Sequence, residues 1–373
     1  MALTLHGTVS DNTAVLDRPS AKPIIINGNM AVAQRSGAAV TGLGDGDEGY
    51  VTVDRFRHTV AGGTAGRFTS TQEAVNDIPG FHESLNINCT TADTSIGANE
   101  FFAIDYRIEG HDLHHFNKGH STAKPFTLSF YAKANAAHTF GIQFRDHDNG
   151  RHCTARYTTT TGWTRHVINI PADTTGKFDN DAGESLRIRF MLHHGSTYTG
   201  GTAPTTWEAH DNANAYDSGN GSIFSSTNNF ISITGVQLEV GEYDINSIPP
   251  FQYESFGDNL VRCQRYFCKS YDYDIAPATS GNINGSVASR NYAYTGDGSP
   301  FIHGDFPVTM RDNPTVTTFD SGGNSGKIGG PSGASITATV YQIGMSGFNV
   351  LNSSGSSVSG GDYYVNFKAE SEL

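Results

Sequence analysis

Long apolar runs are missing from this sequence of 373 residues, and no stretch approaches the roughly eighteen consecutive apolar positions of a membrane-crossing helix. No membrane insertion is expected. Basic charge is equally scarce: 24 Lys and Arg stand against 37 Asp and Glu, a formal net charge of -13. Such a chain has no broad basic face to neutralise a row of phosphates, which excludes nucleic acid as the expected partner. Cysteine is sparse as well, and Cys89, Cys153, Cys263 and Cys268 are too scattered for a disulfide framework in a chain this long. They are expected to be buried or half-buried thiols. Met1 runs into Ala2 and Leu3 with neither a basic stretch nor a long apolar one, so no signal peptide is expected.

Hydrophobic residues make up 36% and charged residues 16%, and 43 glycines with many Ser, Thr and Asn fill the difference. Gly, Asn, Asp and Ser each supply a turn conformation, so this composition predicts many short strands joined by turns, an all-β fold. Period-two alternation marks the strands. It appears over Gly49 to Phe56, Phe101 to Ile108, Phe126 to Tyr131 and Phe140 to Arg145. Pro23 to Ile26, Cys153 to Tyr157, Thr164 to Ile170, Ser185 to Leu192 and Phe230 to Val240 bring the candidates to nine. So many strands do not share one flat sheet comfortably, and two packed sheets, a jelly-roll sandwich, are expected over residues 21–254.

Residues 1–20 carry short apolar runs with no partner strand nearby and read as an arm that becomes ordered against another chain. Ser255 to Phe267 departs from alternation. Phe256, Leu260, Cys263 and Phe267 fall at helical spacing, Ser255 is placed to cap and Asp258 suits the first turn, so 255–269 reads as a linking helix that also serves oligomer contact. From 270 to 373 the pattern returns to strands: Ser286 to Tyr292, Val308, Thr315 to Phe319, Ser335 to Ile343 and Asp362 to Lys368, with Gly-Ser-Asn loops at 321–334 and 352–361. This smaller β-sandwich module has few large apolar side chains and is expected to be marginal alone, with association, as a trimer, supplying burial.

Several residue groups invite chemistry. His111, His114, His115 and His120, with His193 and His194, have spacings that allow a metal, but a turn without converging ligands reads more simply as solvated or hydrogen-bonding histidine. Asp146 to Gly150 and Asp173 to Asp181 are rich enough in oxygen for a structural calcium, and equally have the ordinary composition of tight turns. No other cofactor is expected. Glu239, Glu242 and Asp244 lie close in sequence, yet a glycosidase needs two carboxyls facing one cleft about 5 to 9.5 Å apart, which neighbours at a strand end do not supply. No catalytic residues are assigned. The Gly/Thr/Asn-rich excursion 195–229 is the expected contact surface, with Trp207, Tyr198, His210 and Tyr216 as its candidate ligand-binding residues, while Trp163 reads as packing on the sandwich edge.

A further set of residues falls in a recognisable order. Ile108-Glu109-Gly110, Phe126 to Lys133, Thr161 to Thr164, Ile170 to Gly176, Ile233 to Gly241, Pro250 to Gly257 and Arg262 to Phe267 together resemble a family of tail-fibre and virion structural proteins of marine bacteriophages, over roughly residues 20–270. The ends, Met1 to Leu5 and Phe367 to Leu373, are similar more loosely. Asp244 to Pro249 departs from the pattern by lengthening the connection after the last sandwich strand. The resemblance implies a sandwich like that of carbohydrate-binding modules, made in the host cytoplasm and mounted on a virion, commonly as a homotrimer. Its partners would be other tail proteins, held through the arm, and host-surface glycan. It implies no catalytic residues. A host-glycan adhesin, a head fibre or decoration protein, and a glycan depolymerase are the alternatives.

Overall fold

The computed structural model describes residues 22–291, 300–353 and 360–373, so the expected arm over 1–20 lies outside the described residues, as do Tyr292 and part of the loop 352–361. In chain order the strands of the larger part are β1 (Val40–Leu43), β2 (Gly49–Tyr50), β3 (Phe56–Ala61), β4 (Arg67–Ala74), β5 (Glu83–Thr91), β6 (Phe101–Glu109) and β7 (Phe126–Ala134). They continue as β8 (Thr139–Asp146), β9 (Arg151–Thr158), β10 (Thr164–Ile170), β11 (Glu184–His194), β12 (Glu208–Ala209) and β13 (Phe230–Val240). They form a six-stranded sheet in the order β1-β4-β5-β13-β7-β10 and a seven-stranded sheet in the order β12-β9-β8-β11-β6-β3-β2, with antiparallel pairing in both. This is the jelly-roll sandwich that the alternation predicts.

The alternation decides what lies between the sheets. Phe102, Ile104, Tyr106 and Ile108 of β6, Leu186, Ile188 and Phe190 of β11, and Phe140, Ile142 and Phe144 of β8 point inward against Phe126, Leu128 and Phe130 of β7 and Leu85 and Ile87 of β5. Each such side chain, fully buried, contributes about 1.5–3 kcal/mol. The intervening residues of β6, β8 and β11 therefore face away from the core. One strand breaks phase: in β13, Ile231 and Ile233 reach the core, and so do Val236 and Leu238, because a bulge at Gly235 (φ 61°) inserts one residue between the two pairs.

Four strands of the larger part went unanticipated, the short β1 and β12 and the longer β4 and β5. Of the nine residues of β5 only Leu85, Ile87 and Cys89 alternate as apolar core residues, and β4 places Ser70 beside Phe68 in the interior. Conversely, Ile24 to Ile26 are buried without forming a strand. The chain turns through Asn27 (φ 61°), whose side-chain amide donates to the carbonyls of Val32 and Asp54, and the Ile26 N–H donates to the Tyr106 hydroxyl at 2.6 Å. Polar side chains meet the backbone groups that a ladder would have satisfied. The run Gly49 to Phe56 is likewise no continuous strand, since only β2 and the first residue of β3 fall within it.

The helix α1 spans Phe256–Gln264, and its capping follows expectation: Ser255 Oγ accepts from the Asp258 N–H at 3.1 Å. Phe267 is not part of it. The helix ends at Gln264 and Phe267 opens strand β14 (Phe267–Lys269), where it is buried with Arg35 stacked over its ring at 3.8 Å. Cys263 packs against Ile26, Val32 and Tyr266 of its own chain, with Leu260 beside them. Neither Cys263 nor Phe267 is therefore free for contact with another copy, whereas Phe256 is about half exposed.

The smaller part continues with β15 (Val287–Asn291), β16 (Phe301–Asp305), β17 (Thr315–Phe319), β18 (Lys327–Gly329), β19 (Ser335–Tyr341), β20 (Gly347–Asn352) and β21 (Gly361–Glu370). These form an eight-stranded sheet in which β21 pairs with β14, β15, β17 and β18. Its core is small: Ile302, Phe306, Met310, Phe348, Val350, Val365 and Phe367 are its principal members. Val308 lies outside any strand, and β18 sits in what the sequence presents as a loop.

Both parts are held together by buried charge. Glu109 accepts from Arg265 at 2.8 Å and from the Tyr266 hydroxyl, Arg55 lies over the Tyr266 ring at 3.4 Å, and Glu372 pairs with both Arg35 and Arg55. No helix among the described residues is long and apolar enough to cross a membrane.

Candidate functional site

The outward face of the seven-stranded sheet carries a cleft of about 350 Å3, near the lower end of the roughly 300–1,000 Å3 usual for small-ligand sites. Register explains its lining. Arg145 of β8, Arg187 of β11 and Arg107 of β6 are direct cross-strand neighbours. The next row along the strands is Gln143, Arg189, Asp105 and Arg57, and the one after it Gly141, Met191, Ala103 and Thr59. These residues alternate with the core residues, so one period-two pattern builds a dry interior and a polar outer face.

The excursion 195–229 forms the second wall. Tyr198, His210, Asn212, Ala215 and Tyr216 line the cleft opposite Phe101, which meets Tyr198 edge-on at 5.6 Å between ring centres. Tyr216 is almost wholly covered and stacks on His194 at 5.6 Å. A Cβ at Gly141 would come within 2.6 Å of the Tyr216 ring, so glycine there is what lets the ring lie flat on the sheet.

Of the four expected ligand-binding residues, Tyr198, His210 and Tyr216 thus converge and Trp207 does not. Trp207 is only 8% exposed and belongs to the sandwich core beside Phe126, with its indole N–H donating to the Pro171 carbonyl at 2.8 Å. Its polar neighbours in sequence suggest a surface, but the ring gains more by burial once its one donor is satisfied. The five arginines escaped notice. Their only signal was placement at the outward positions of alternating strands, with Arg187 and Arg189 two residues apart.

Ion pairs set the electrostatics. Asp105, fully buried beneath the cleft, is gripped by Arg189 at 2.7 and 2.8 Å, and Glu184 holds Arg187. Burial alone would raise the Asp105 carboxyl, but Arg189, Arg187 and Arg107 outweigh it and bring it to about 2. Burial, with Arg145 and His152 nearby, lowers His210 to about 4, so its ring is neutral at pH 7 and serves as a hydrogen-bonding group. Arg145 differs from its neighbours: it enters no ion pair among the described residues, and its shielded Nε has no hydrogen-bond partner there.

The two oxygen-rich turns do converge, on a side chain. Lys118 Nζ lies within 3.0 Å of Asp146 Oδ2, Asp173 Oδ2 and the carbonyl oxygens of Thr175 and Gly176. A buried ammonium therefore supplies the cation for which the sequence suggests calcium. Among the described residues, no group of three or more His, Cys, Asp or Glu is arranged to hold a metal. His193 instead faces Glu100 at 3.2 Å and Ser222 at 2.7 Å. The three carboxylates near the end of β13 are not gathered at the cleft. Glu239 is buried and accepts from Gln237, and Asp244 accepts from its own turn at Asn246 and Ser247. All four cysteines are buried free thiols. Trp163 donates to Asp77 at 2.7 Å and packs with Phe81, Tyr131 and Phe251 on the outer side of the other sheet.

No family model and no curated protein matches the sequence. Solved structures do. A carbohydrate-binding module of family 4 is 13% identical, covering 57% of this chain and 97% of its own at a TM-score of 0.29. A family 11 module from Clostridium thermocellum, in complex with a β-1,3-1,4-mixed-linked tetrasaccharide, is also 13% identical, covering 56% and 99% at 0.27. The enzymatically active domain of bacteriophage CBA120 tailspike protein 4 is 12% identical at 0.30, and there the match covers 58% of this chain but only 21% of the tailspike.

Proposed function

We propose that this chain is a glycan-binding, non-catalytic component of a bacteriophage particle, displayed as a homotrimer and reading the host surface through the cleft of the seven-stranded sheet. One observation carries the binding half of this reading: a rigid sheet face and the 195–229 excursion set aromatic rings, Phe101 and Tyr198, beside a floor of side chains rich in hydrogen-bond donors. Sugar rings present apolar faces edged with hydroxyls, and that combination of surfaces is their complement. The virion half rests on the ordered motifs from Ile108 to Phe267.

The non-catalytic part of the proposal concerns this cleft alone and rests on its lining. Glu48, paired with Arg57 at 3.1 Å, is the carboxylate lining the cleft among the described residues, whereas glycoside hydrolysis ordinarily uses two. A glycan array probed with the full chain and with Tyr198→Ala tests the binding reading. Binding that falls on substitution, with no reducing sugar released, is the expected result; no binding to any glycan would end it. Mass measurement in solution and labelling of whole particles test the trimer and its location.

A further inference from the structure

Saccharide binding alone does not account for the row Arg145, Arg187, Arg107. Like charges set directly opposite each other across strands destabilise a sheet, yet here three guanidiniums stand in register on adjacent strands. Compensation is incomplete. Among the described residues, the side-chain carboxylates within ion-pair distance of the five cleft arginines are Glu48, Asp105 and Glu184, so five guanidiniums meet three side-chain carboxylates. The Leu373 oxygen takes one N–H of Arg107, whereas Arg145 enters no ion pair and its buried Nε meets no acceptor among the described residues. This excess sits in a chain whose net charge is -13, so it is a local feature of one sheet face and not a reflection of composition.

We propose that the cleft selects acidic glycans, with Arg145, flanked by Arg187, taking the anionic group of the sugar and the Phe101–Tyr198 pair packing against its ring. The proposal rests on the saccharide reading above and specifies its ligand class. A guanidinium fork matches a carboxylate or a sulfate ester through two parallel N–H donations, and the shared chemistry of the two ligands is a planar or tetrahedral oxyanion on a sugar ring. The site is organised in advance. Asp105 and Glu184 fix Arg189 and Arg187 from below, and Arg189 lies over the Phe101 ring at 5.4 Å, joining the charged floor to the aromatic wall. Burial first, and then the neighbouring Arg187 and Arg189, lower the pKa of the Arg145 guanidinium.

Calorimetric titration of the full chain separates the possibilities. The probes are oligogalacturonate, the same oligomer fully methyl-esterified, a sulfated galactan oligosaccharide, its desulfated form, and inorganic sulfate. Either acidic oligosaccharide should bind at least about tenfold more tightly than its neutralised counterpart, weaken as salt is raised, and lose that advantage in Arg145→Ala and Arg145→Gln while both variants keep the wild-type thermal midpoint. Equal affinity for charged and neutralised oligomers would overturn the acidic preference and leave the glycan reading standing. If inorganic sulfate matches the sulfated oligosaccharide, or no oligosaccharide binds, this inference fails, and the glycan array decides separately whether the broader glycan reading fails with it.

Discussion

Two cationic clusters in the sandwich invite comparison. At Lys118 one ammonium is enclosed by two carboxylates and two carbonyls, and it is about 4% exposed. On the outer face of the seven-stranded sheet, five guanidiniums share fewer acceptors and open onto a cleft. The first cluster is complete within the chain and ties the turn after β8 to the segment after β10. The second has fewer side-chain carboxylates than guanidiniums among the described residues. A buried charge whose partners are all present is a structural device, and a row of like charges set across strands at the expense of the sheet is the feature on which the proposed acidic-glycan site rests.

The comparison breaks most readily at Lys118. Lys118→Met should destabilise the fold by about 3 kcal/mol, because Asp146 stays buried without its cation, while Asp173 keeps Arg151 at 2.8 Å. Denaturant titration reads it, and a loss within 1 kcal/mol would mean that the ammonium is replaceable by water. Next comes Trp207, which lies over Lys118 at 5.3 Å and fills the adjoining core. Trp207→Ala should likewise cost roughly 3–5 kcal/mol through its cavity. A variant that lost glycan binding at unchanged stability would return Trp207 to the recognition surface.

The arginine cluster is sharpened by acid. Since Asp105 is held at about 2, below its usual value near 3.8, its contribution is present above that usual value and disappears as pH falls toward 2. That contribution is about 2 kcal/mol. Asp105→Asn should therefore be less stable than the wild type at pH 7, with the two converging near pH 2; a gap that stays constant through that window would show that the ion pairs with Arg189 and Arg187 do not stabilise the fold. The smallest effect is expected at Arg145. Removing it relieves repulsion from Arg187, so Arg145→Ala should leave stability unchanged to within about 0.5 kcal/mol or raise it slightly. A substantial loss would make Arg145 a structural residue like Lys118.

Much of the sandwich was legible beforehand. β6, β7, β8, β11 and β13 are announced by large apolar residues in alternation or dense runs, β9 and β10 by weaker patterns over Cys153 to Tyr157 and Thr164 to Ile170, and the cap of α1 by Ser255. Failures came where alternation was thin or misleading. β5 shows three apolar core residues among nine, the isoleucines 24–26 are buried through side-chain hydrogen bonds and a turn, and Phe267 continues a helical spacing after the helix itself has ended. At the site, Tyr198, His210 and Tyr216 shared one polar excursion and could be grouped by proximity in sequence. The arginines could not, because Arg107 and Arg187 stand eighty positions apart.

Local alternation along each strand determined which side chains enter the interior and which face outward, since the pleat turns successive residues to opposite faces whatever the neighbours are. It said nothing of which strands lie side by side. Placing β11 between β6 and β8 is what aligned Arg107, Arg187 and Arg145, and folding two distant turns together is what enclosed Lys118 between Asp146 and Asp173. Charge acts over a few ångströms of space, not along the chain, so only the tertiary structure could decide where it was balanced and where it was left over.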